Sequence, residues 1–184
     1  IRSGKMAALL RTMITTAPRP DRATLLNLER EARRKGSGIQ ADQLQGCWKL
    51  QTTWNRSGAP STPGTDACLR ALDACLILTI SPELDSPQSE HIQIENRVQV
   101  AGFQLSFQGA AQLKGNRPLL FFSFNRVQLR VGDKVWFSKA IDTPSIQRLP
   151  FFALIHLDPS QGLLIARGRG GGLALWNRRS IESE

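Results

Sequence analysis

The sequence is poor in the side chains that usually build catalytic and metal sites. Its 184 residues include two histidines, three cysteines and no tyrosine. The three cysteines, Cys47, Cys68 and Cys75, form no C-x-x-C motif, and with only His91 and His156 beside them they argue against a zinc site. An odd number of cysteines without such a motif favours a reducing compartment. We therefore expect neither a metal nor a cofactor.

Long apolar runs and nucleophile motifs are also absent. The longest strongly apolar stretch, Leu119 to Phe124, has the length of a strand and is far shorter than the ~20 residues of a membrane-spanning helix. No serine or cysteine lies in a recognisable nucleophile motif. His156 and Asp158 share a strand face if the alternation holds, but such pairs are more often structural than catalytic. The sequence predicts a non-enzymatic protein, soluble or peripheral to a membrane.

The positive charge is concentrated at the N-terminal end. Of the net charge of +9, residues 1–40 carry +6, residues 41–164 carry +1 and residues 165–184 carry +2. A basic segment of this kind suits an anionic membrane surface, an acidic protein or nucleic acid, and equally a solvated helix face. We divide the chain into a basic N-terminal helical segment, residues 1–40, and a β-rich domain, residues 41–184.

The helical signals lie mainly in the first segment. Asp21 is a suitable N-cap for a helix that runs to about Lys35, and Gly36 is a natural C-terminal glycine. One face of this helix is apolar and carries Leu25, Leu28 and Ala32. The helix either packs on the β domain or presents its basic face to a membrane or partner. Shorter helices are predicted at Met6–Ile14 and Ala67–Asp73.

The rest of the chain alternates apolar and polar residues with a period of two, which is typical of half-buried strands. The first strand is predicted at Gln45–Trp54, with Trp48, Leu50 and Thr52 on one face. The phase of the alternation changes between Phe124 and Val127, which predicts a bulge or a bend. About eight strands with short turns favour a closed antiparallel β-barrel. We expect the N-terminal helix to lie outside this barrel or across one mouth.

Two segments at opposite ends of the β region resemble the signatures of one family. The first is L-x-G-x-W-x-L-x-x-T, from residue 44; the second is L-D-x-x-x-x-L-x-I-x-R-G with a glycine-rich turn and an apolar strand, from residue 157. Both are similar to segments of the plastid lipid-associated proteins, or fibrillins, of plastids and cyanobacteria. This chain has Leu164 where the family usually has arginine, and Ser37–Asp42 where it has N-P-x-P. The matching signature residues are Gly46, Trp48, Asp158, Arg167, Gly168 and Gly172.

The resemblance implies a lipocalin-like barrel that binds a lipid, carotenoid or quinone-like ligand. It also implies a cytoplasmic or stromal protein, associated peripherally with thylakoid membranes. By similarity to lipocalins, Trp48 packs under an arginine near the end of the barrel, either Arg178 or Arg167; alternatively, Arg167 pairs with Asp158. We expect Trp48 and Arg167 to face inward and to be structural. The candidate ligand-binding residues of the barrel interior are Trp48, Phe103, Leu105, Phe107, Phe122, Phe124 and Trp136.

Two other functions stay open. Some bilin-attaching lyases of cyanobacteria also use lipocalin-like barrels, so the chain could handle a bilin chromophore. It could instead be an interaction module that docks on a photosynthetic complex through its basic N-terminal helix. The glycine-rich segment after Arg167 is more typical of a hairpin turn than of a phosphate cradle, because a strand follows it. We do not expect nucleic acid as a partner.

Overall fold

The computed structural model describes residues 20–56, 59, 73–81 and 91–179. The helices expected at Met6–Ile14 and Ala67–Asp73 lie outside these ranges, apart from Asp73, which is in a turn. The described helices are α1 (Arg22–Lys35) and α2 (Ala41–Leu44), with a 3₁₀ turn at Ile146–Arg148. The strands are β1 (Gly46–Trp54), β2 (Cys75–Ser81), β3 (His91–Val100), β4 (Phe103–Lys114), β5 (Leu119–Val131), β6 (Lys134–Ala140), β7 (Phe151–Asp158), β8 (Leu163–Gly168) and β9 (Leu173–Arg178).

The nine strands form one antiparallel sheet that closes into a ring. Neighbours pair in the order β4-β3-β2-β1-β9-β8-β7-β5-β6, and β4 also pairs with β5. Eight strands therefore complete the ring, and β6 is a ninth strand that pairs only with the second half of β5. This confirms the prediction of a mainly β, antiparallel architecture in which the first and last strands are neighbours.

Trp48 seals one end of the ring interior. Its side chain is fully buried, and its indole Nε1 donates a hydrogen bond to the Leu44 carbonyl oxygen at 2.7 Å. The Arg178 guanidinium lies 5.1 Å from the centre of the Trp48 ring, a cation–π contact. Ile39 and Ala41 pack into the same core cluster. The segment around α2 thus closes the interior beneath Trp48.

Helix α1 packs on the outside of the ring and not across a mouth. Its caps are those predicted, since the Asp21 side chain accepts a hydrogen bond from Thr24 N and Gly36 has φ of 82°. The apolar face of α1 covers outward-facing residues of the sheet and buries them. This second core contains Leu25, Ala32, Trp54, Ile155, Ile165, Leu173 and Leu175.

Arg167 fastens α1 to the sheet. It shares a face with Ile165 as expected, but that face is the outer one under α1, so the expectation that Arg167 points into the ring is wrong. Its Nε and Nη2 donate to the two carboxylate oxygens of Glu29 at 2.7 and 2.6 Å. Asp158 is not its partner, because the Asp158 carboxylate accepts hydrogen bonds from the backbone and hydroxyl of Ser160.

A bulge in β5 keeps its apolar side chains on the inner face. Gln108 pairs with Arg126 while Gly109 pairs with Phe124, which leaves Asn125 as an extra residue. The predicted bulge between Phe124 and Val127 is therefore confirmed. Gly109 allows the close approach of the strands here, since a Cβ at this position would lie 1.8 Å from the Ser123 carbonyl oxygen.

A bulge in β1 corrects another expectation. Leu50 pairs with Trp176 and Thr52 pairs with Leu175, so one residue is added between them. Trp176 belongs to the core inside the ring, whereas Leu175 belongs to the core under α1. Thr52 therefore does not share a face with Trp48 and Leu50, as the simple alternation had suggested.

Candidate functional site

A cavity of about 390 Å³ lies inside the ring, toward the end of β1 that is farther from Trp48. Its volume falls within the range of ~300–1,000 Å³ that is common for small-molecule sites. The walls come from six strands of the ring, because inward-facing side chains of β1, β2, β3, β5, β7 and β9 converge there. The lining residues are Leu50, Thr53, Ala74, Cys75, Leu76, Ile94, Asn96, Phe122, Phe124, Phe152, Ala174 and Trp176.

The cavity wall is apolar and rich in aromatic rings. The ring centroid of Phe122 lies 5.4 Å from that of Phe124 and 5.0 Å from that of Phe152. The ring centroids of Phe152 and Trp176 lie 5.4 Å apart. Thr53 and Asn96 supply polar side chains to the wall. Among the described residues that line it, none is charged. Such a wall can take a neutral apolar molecule and orient it by one or two hydrogen bonds.

The sheet continues beyond the ring as a structure we call the flap, residues 98–107 and 126–140. The pairing of β2 with β3 covers His91 to Arg97, and the pairing of β7 with β5 covers Leu119 to Phe121. The last residues of β3, the start of β4, the end of β5 and all of β6 therefore extend past both closing strands. Every residue of β6 is exposed.

The inner face of the flap is apolar and continuous with the cavity wall. Val98 pairs with Leu105, Leu105 with Leu129 and Leu129 with Phe137, which makes one apolar row across four strands. Phe107 connects this row to the cavity, because its ring centroid lies 5.9 Å from that of the cavity residue Phe124. An apolar path thus leads from the flap into the ring.

The flap exposes large apolar side chains beside basic ones. Trp136 is 71% exposed, and several neighbours are 38% to 49% exposed, namely Val100, Phe103, Leu105, Val135 and Phe137. The flap contains four basic residues and one acidic residue, a net charge of +3. An exposed apolar patch of this kind marks a surface for a partner, a membrane or a ligand.

The structure divides the seven predicted ligand-binding residues into three groups. Phe122 and Phe124 line the cavity, and Phe107 stands at its boundary with the flap. Trp48 lies in the core that seals the other end. The remaining three, Phe103, Leu105 and Trp136, lie on the exposed flap and are not walls of the ring interior, which corrects the expectation for them.

Several cavity residues were missed from the sequence, notably Leu76, Ile94, Phe152 and Trp176. The alternation identified the apolar faces of their strands. It did not show that strands from both ends of the chain meet around one space, which depends on the pairing of β1 with β9 and of β5 with β7.

The other signature residues hold the chain at turns and strand ends. Gly46 has φ of 138°, and a Cβ there would lie 3.1 Å from the Arg178 side chain. Gly168 N donates to the Gly172 carbonyl oxygen at 2.9 Å, which closes the turn between β8 and β9. Asp158 organises the preceding turn, and hydrogen bonds from Ser160 and Gln161 lower the pKa of its carboxyl group. The positions of these residues at turns and strand ends indicate that they maintain the fold.

No protein-family model, curated protein or solved structure matches this chain. Within residues 20–56, 73–81 and 91–179, neither helix has the length and apolar character needed to cross a bilayer.

Proposed function

We propose that this protein binds a lipid or another apolar molecule of isoprenoid, carotenoid or quinone type, and does so without catalysis. The observation that carries this proposal is the continuity between the apolar cavity and the exposed apolar face of the flap. A closed core would be filled and would not open onto an exposed aromatic surface. A long apolar molecule can place one end among Phe122, Phe152 and Trp176 and extend along the flap past Phe107.

The chemistry of the wall favours a neutral ligand over a bilin. A bilin carries carboxylate groups, and burying a charge without a partner is costly. The described side chains that line the cavity offer Thr53 and Asn96 as hydrogen-bonding groups and no basic group. We therefore place a hydroxyl, carbonyl or amide of the ligand near Asn96 and its hydrocarbon part against the aromatic rings.

We further propose that the flap rests on an anionic lipid surface from which the ligand enters. Trp136 and Phe137 can insert at the level of the headgroups, where aromatic rings are favoured. Lys134, Lys139 and the arginines of β5 can pair with lipid phosphates, each near-surface cation contributing ~1 kcal/mol. We include in this proposal that the chain is a fibrillin and lies at the thylakoid membrane. The two signature strands, β1 and β9, pair with each other, which supports the fibrillin assignment.

Filling the cavity tests the ligand site. Ala174 lines the cavity, so Ala174→Phe should occupy part of its volume and weaken binding of a fluorescent polyene fatty acid at least tenfold. The matched control is Ala110→Phe, the same change on the exposed outer face of β4, where binding should be unchanged. Both variants should first be shown to melt cooperatively. Equal affinity of Ala174→Phe and the parent protein, or loss of binding in Ala110→Phe alone, would contradict the proposed cavity.

Vesicle binding tests the flap. The double variant Trp136→Ser, Phe137→Ser should lose most of its binding to phosphatidylglycerol vesicles, measured by flotation. Ile146→Ser is the control, because Ile146 is 86% exposed and lies outside the flap. Bromine-labelled lipids should quench the fluorescence of the parent protein and of Ile146→Ser more than that of the double variant. If the double variant floats like the control, or if the flap instead mediates a dimer seen by light scattering, the membrane assignment is wrong.

A further inference from the structure

Two cysteines lie side by side on the outer face of the ring, on the first two strands. Cys47 pairs with Ile77 and Lys49 pairs with Cys75, so the cysteines are diagonal neighbours on one face. This is the face opposite that of the buried Trp48, as the alternation of Cys47 with Trp48 predicts. Both thiols are free, and they share a hydrogen bond. The hydrogen bond and the diagonal register place the two sulfurs near each other, as a disulfide between these strands requires.

Cationic side chains surround this pair from three strands. Arg97 of β3 lies directly across from Cys75 in the register, on the side away from Lys49. Arg179, immediately after β9, donates its backbone N–H to the Cys47 carbonyl oxygen at 2.8 Å. The Arg179 guanidinium and the Lys49 ammonium also hold Asp73, at 3.3 and 2.6 Å. A second carboxylate, Glu95, lies on the same face and binds Arg97 at 2.9 Å. Three cations therefore face two carboxylates, so the site favours a negatively charged sulfur.

The two thiols differ in access and in acidity. Cys47 is half-buried, whereas Cys75 is 4% exposed. A hydrogen bond from Cys75, together with Arg179 and Arg97, lowers the pKa of the Cys47 thiol from 9.0 to about 7, against the opposing effects of burial and Asp73. The same hydrogen bond and burial raise the pKa of Cys75. Cys47 is therefore the sulfur that an external reagent meets as a thiolate.

We propose that Cys47 and Cys75 form a redox-active dithiol, in which Cys47 is the attacking sulfur and Cys75 the resolving sulfur. The co-reactant is a small-molecule disulfide of the glutathione type. Cys75 also borders the apolar cavity, but this reactivity does not require the ligand proposed above and stands even if that ligand function fails.

The reaction proceeds in two thiol–disulfide exchanges. The Cys47 thiolate attacks one sulfur of the small disulfide, the sulfur–sulfur bond breaks, and the departing thiolate takes a proton. Cys47 now carries a mixed disulfide and no negative charge, so it no longer opposes ionisation of Cys75. Cys75 loses its proton, attacks the Cys47 sulfur and releases the second small thiol. The protein loses two protons and two electrons in total, and the small disulfide takes them up and is reduced to two thiols.

Intact-mass measurement on a Cys68→Ser background tests this order of events, with Cys68 removed because it lies outside the described residues. Oxidised glutathione should convert the protein to a species lighter by two hydrogen atoms, with Cys47 and Cys75 joined in the peptide map. Cys75→Ser should instead stop at one glutathione on Cys47, and Cys47→Ser should react at least tenfold more slowly. Circular dichroism shows whether each variant is folded.

Three results would overturn the proposal. The first is equal reaction of Cys47→Ser and Cys75→Ser, and the second is a stable glutathione adduct on Cys47 while Cys75 is present. The third concerns pH: alkylation of Cys47 by iodoacetamide should rise to half its maximum near pH 7. The charged and titratable groups that face this site are Cys75, Arg179, Arg97, Lys49, Asp73 and Glu95. Arg179→Gln should shift this midpoint upward, and a midpoint near 9 in the parent protein would show that the pair is only structural.

Discussion

Replacing Glu29 by glutamine should weaken the attachment of α1 to the ring and lower the stability of the whole domain. Glu29 is 7% exposed and accepts two hydrogen bonds from Arg167, at 2.7 and 2.6 Å, and one from Arg33 at 2.7 Å. Glutamine keeps the size of the side chain but removes the charge and one acceptor. Arg167 would then remain as a partly buried cation, with the Gly171 carbonyl oxygen as its remaining described partner.

The expected loss is about 3 kcal/mol in the free energy of unfolding. Removing one member of a buried ion pair costs ~3–5 kcal/mol, and the lower end applies because the Arg167 side chain is 16% exposed and retains Gly171. For a domain of this size, ~1 kcal/mol corresponds to a shift of ~2–4 °C in the melting temperature. Glu29→Gln should therefore melt about 6–12 °C below the parent protein.

The control is Glu31→Gln on the exposed face of the same helix, which should change the melting temperature by less than ~2 °C, since surface substitutions usually stay within ~0.5 kcal/mol. The double variant Glu29→Gln, Arg167→Met should be less destabilised than the sum of its single variants, because it leaves no buried charge unpaired. Equal melting of Glu29→Gln and Glu31→Gln would refute the role assigned to this pair.

The pH dependence provides a second readout of the same contact. Burial alone would raise the pKa of Glu29, but hydrogen bonds and charge from Arg167 and Arg33 outweigh it and lower the pKa below 4.5. A carboxyl group with a lowered folded-state pKa adds stability that is fully present above its unfolded pKa and disappears as the pH falls through the folded value. The difference between the parent protein and Glu29→Gln should therefore be constant above about pH 5 and shrink below 4.5.

Three further predictions concern the ring and its helix. Trp48→Ala should lower the free energy of unfolding by ~3–5 kcal/mol without any ligand present, as measured by denaturant titration; an unchanged midpoint would mean that Trp48 serves only a ligand. Gly109→Ala should cost ~1–3 kcal/mol, because its Cβ would clash with the Ser123 carbonyl oxygen, whereas Gly170→Ala, where a Cβ meets open space, serves as the control. Asp21→Ala should reduce the helical signal of α1 in circular dichroism, and Asp21→Asn should retain most of it, since asparagine also caps helices.

The parts that the sequence predicted well depend on local chemistry. The caps of α1 follow from Asp21 and Gly36, which act within one helical turn. The bulge in β5 was visible because two apolar runs on one strand, ending at Phe124 and starting at Val127, are out of phase. The bulge in β1 could not be predicted from the sequence. Trp48, Leu50 and Thr52 fit an unbroken period of two in the sequence, whereas the strand has a bulge between Leu50 and Thr52.

The parts that failed depend on contacts between distant segments. Alternation placed Arg167 with Ile165 correctly, but it cannot tell the inside of a ring from the side covered by a helix. The true partner, Glu29, is 138 residues away. Phe103 and Leu105 were assigned to the interior for the same reason. Their apolar face continues the inner face of the ring, and it is exposed because the pairing of β5 with β7 ends at Phe121.

The pairing of β1 with β9 also determines when the ring can close during folding. Trp48 must meet Arg178, and Leu25 of α1 must meet Leu173 and Leu175, so β9, which follows the other described strands in the chain, closes both cores. Contacts over such long sequence separations slow folding. Until β9 arrives, β1 has a free edge that can pair with another chain. A nascent chain stalled before Leu173 should therefore be prone to aggregation and depend on chaperones, and the addition of β9 should convert it to a protected ring.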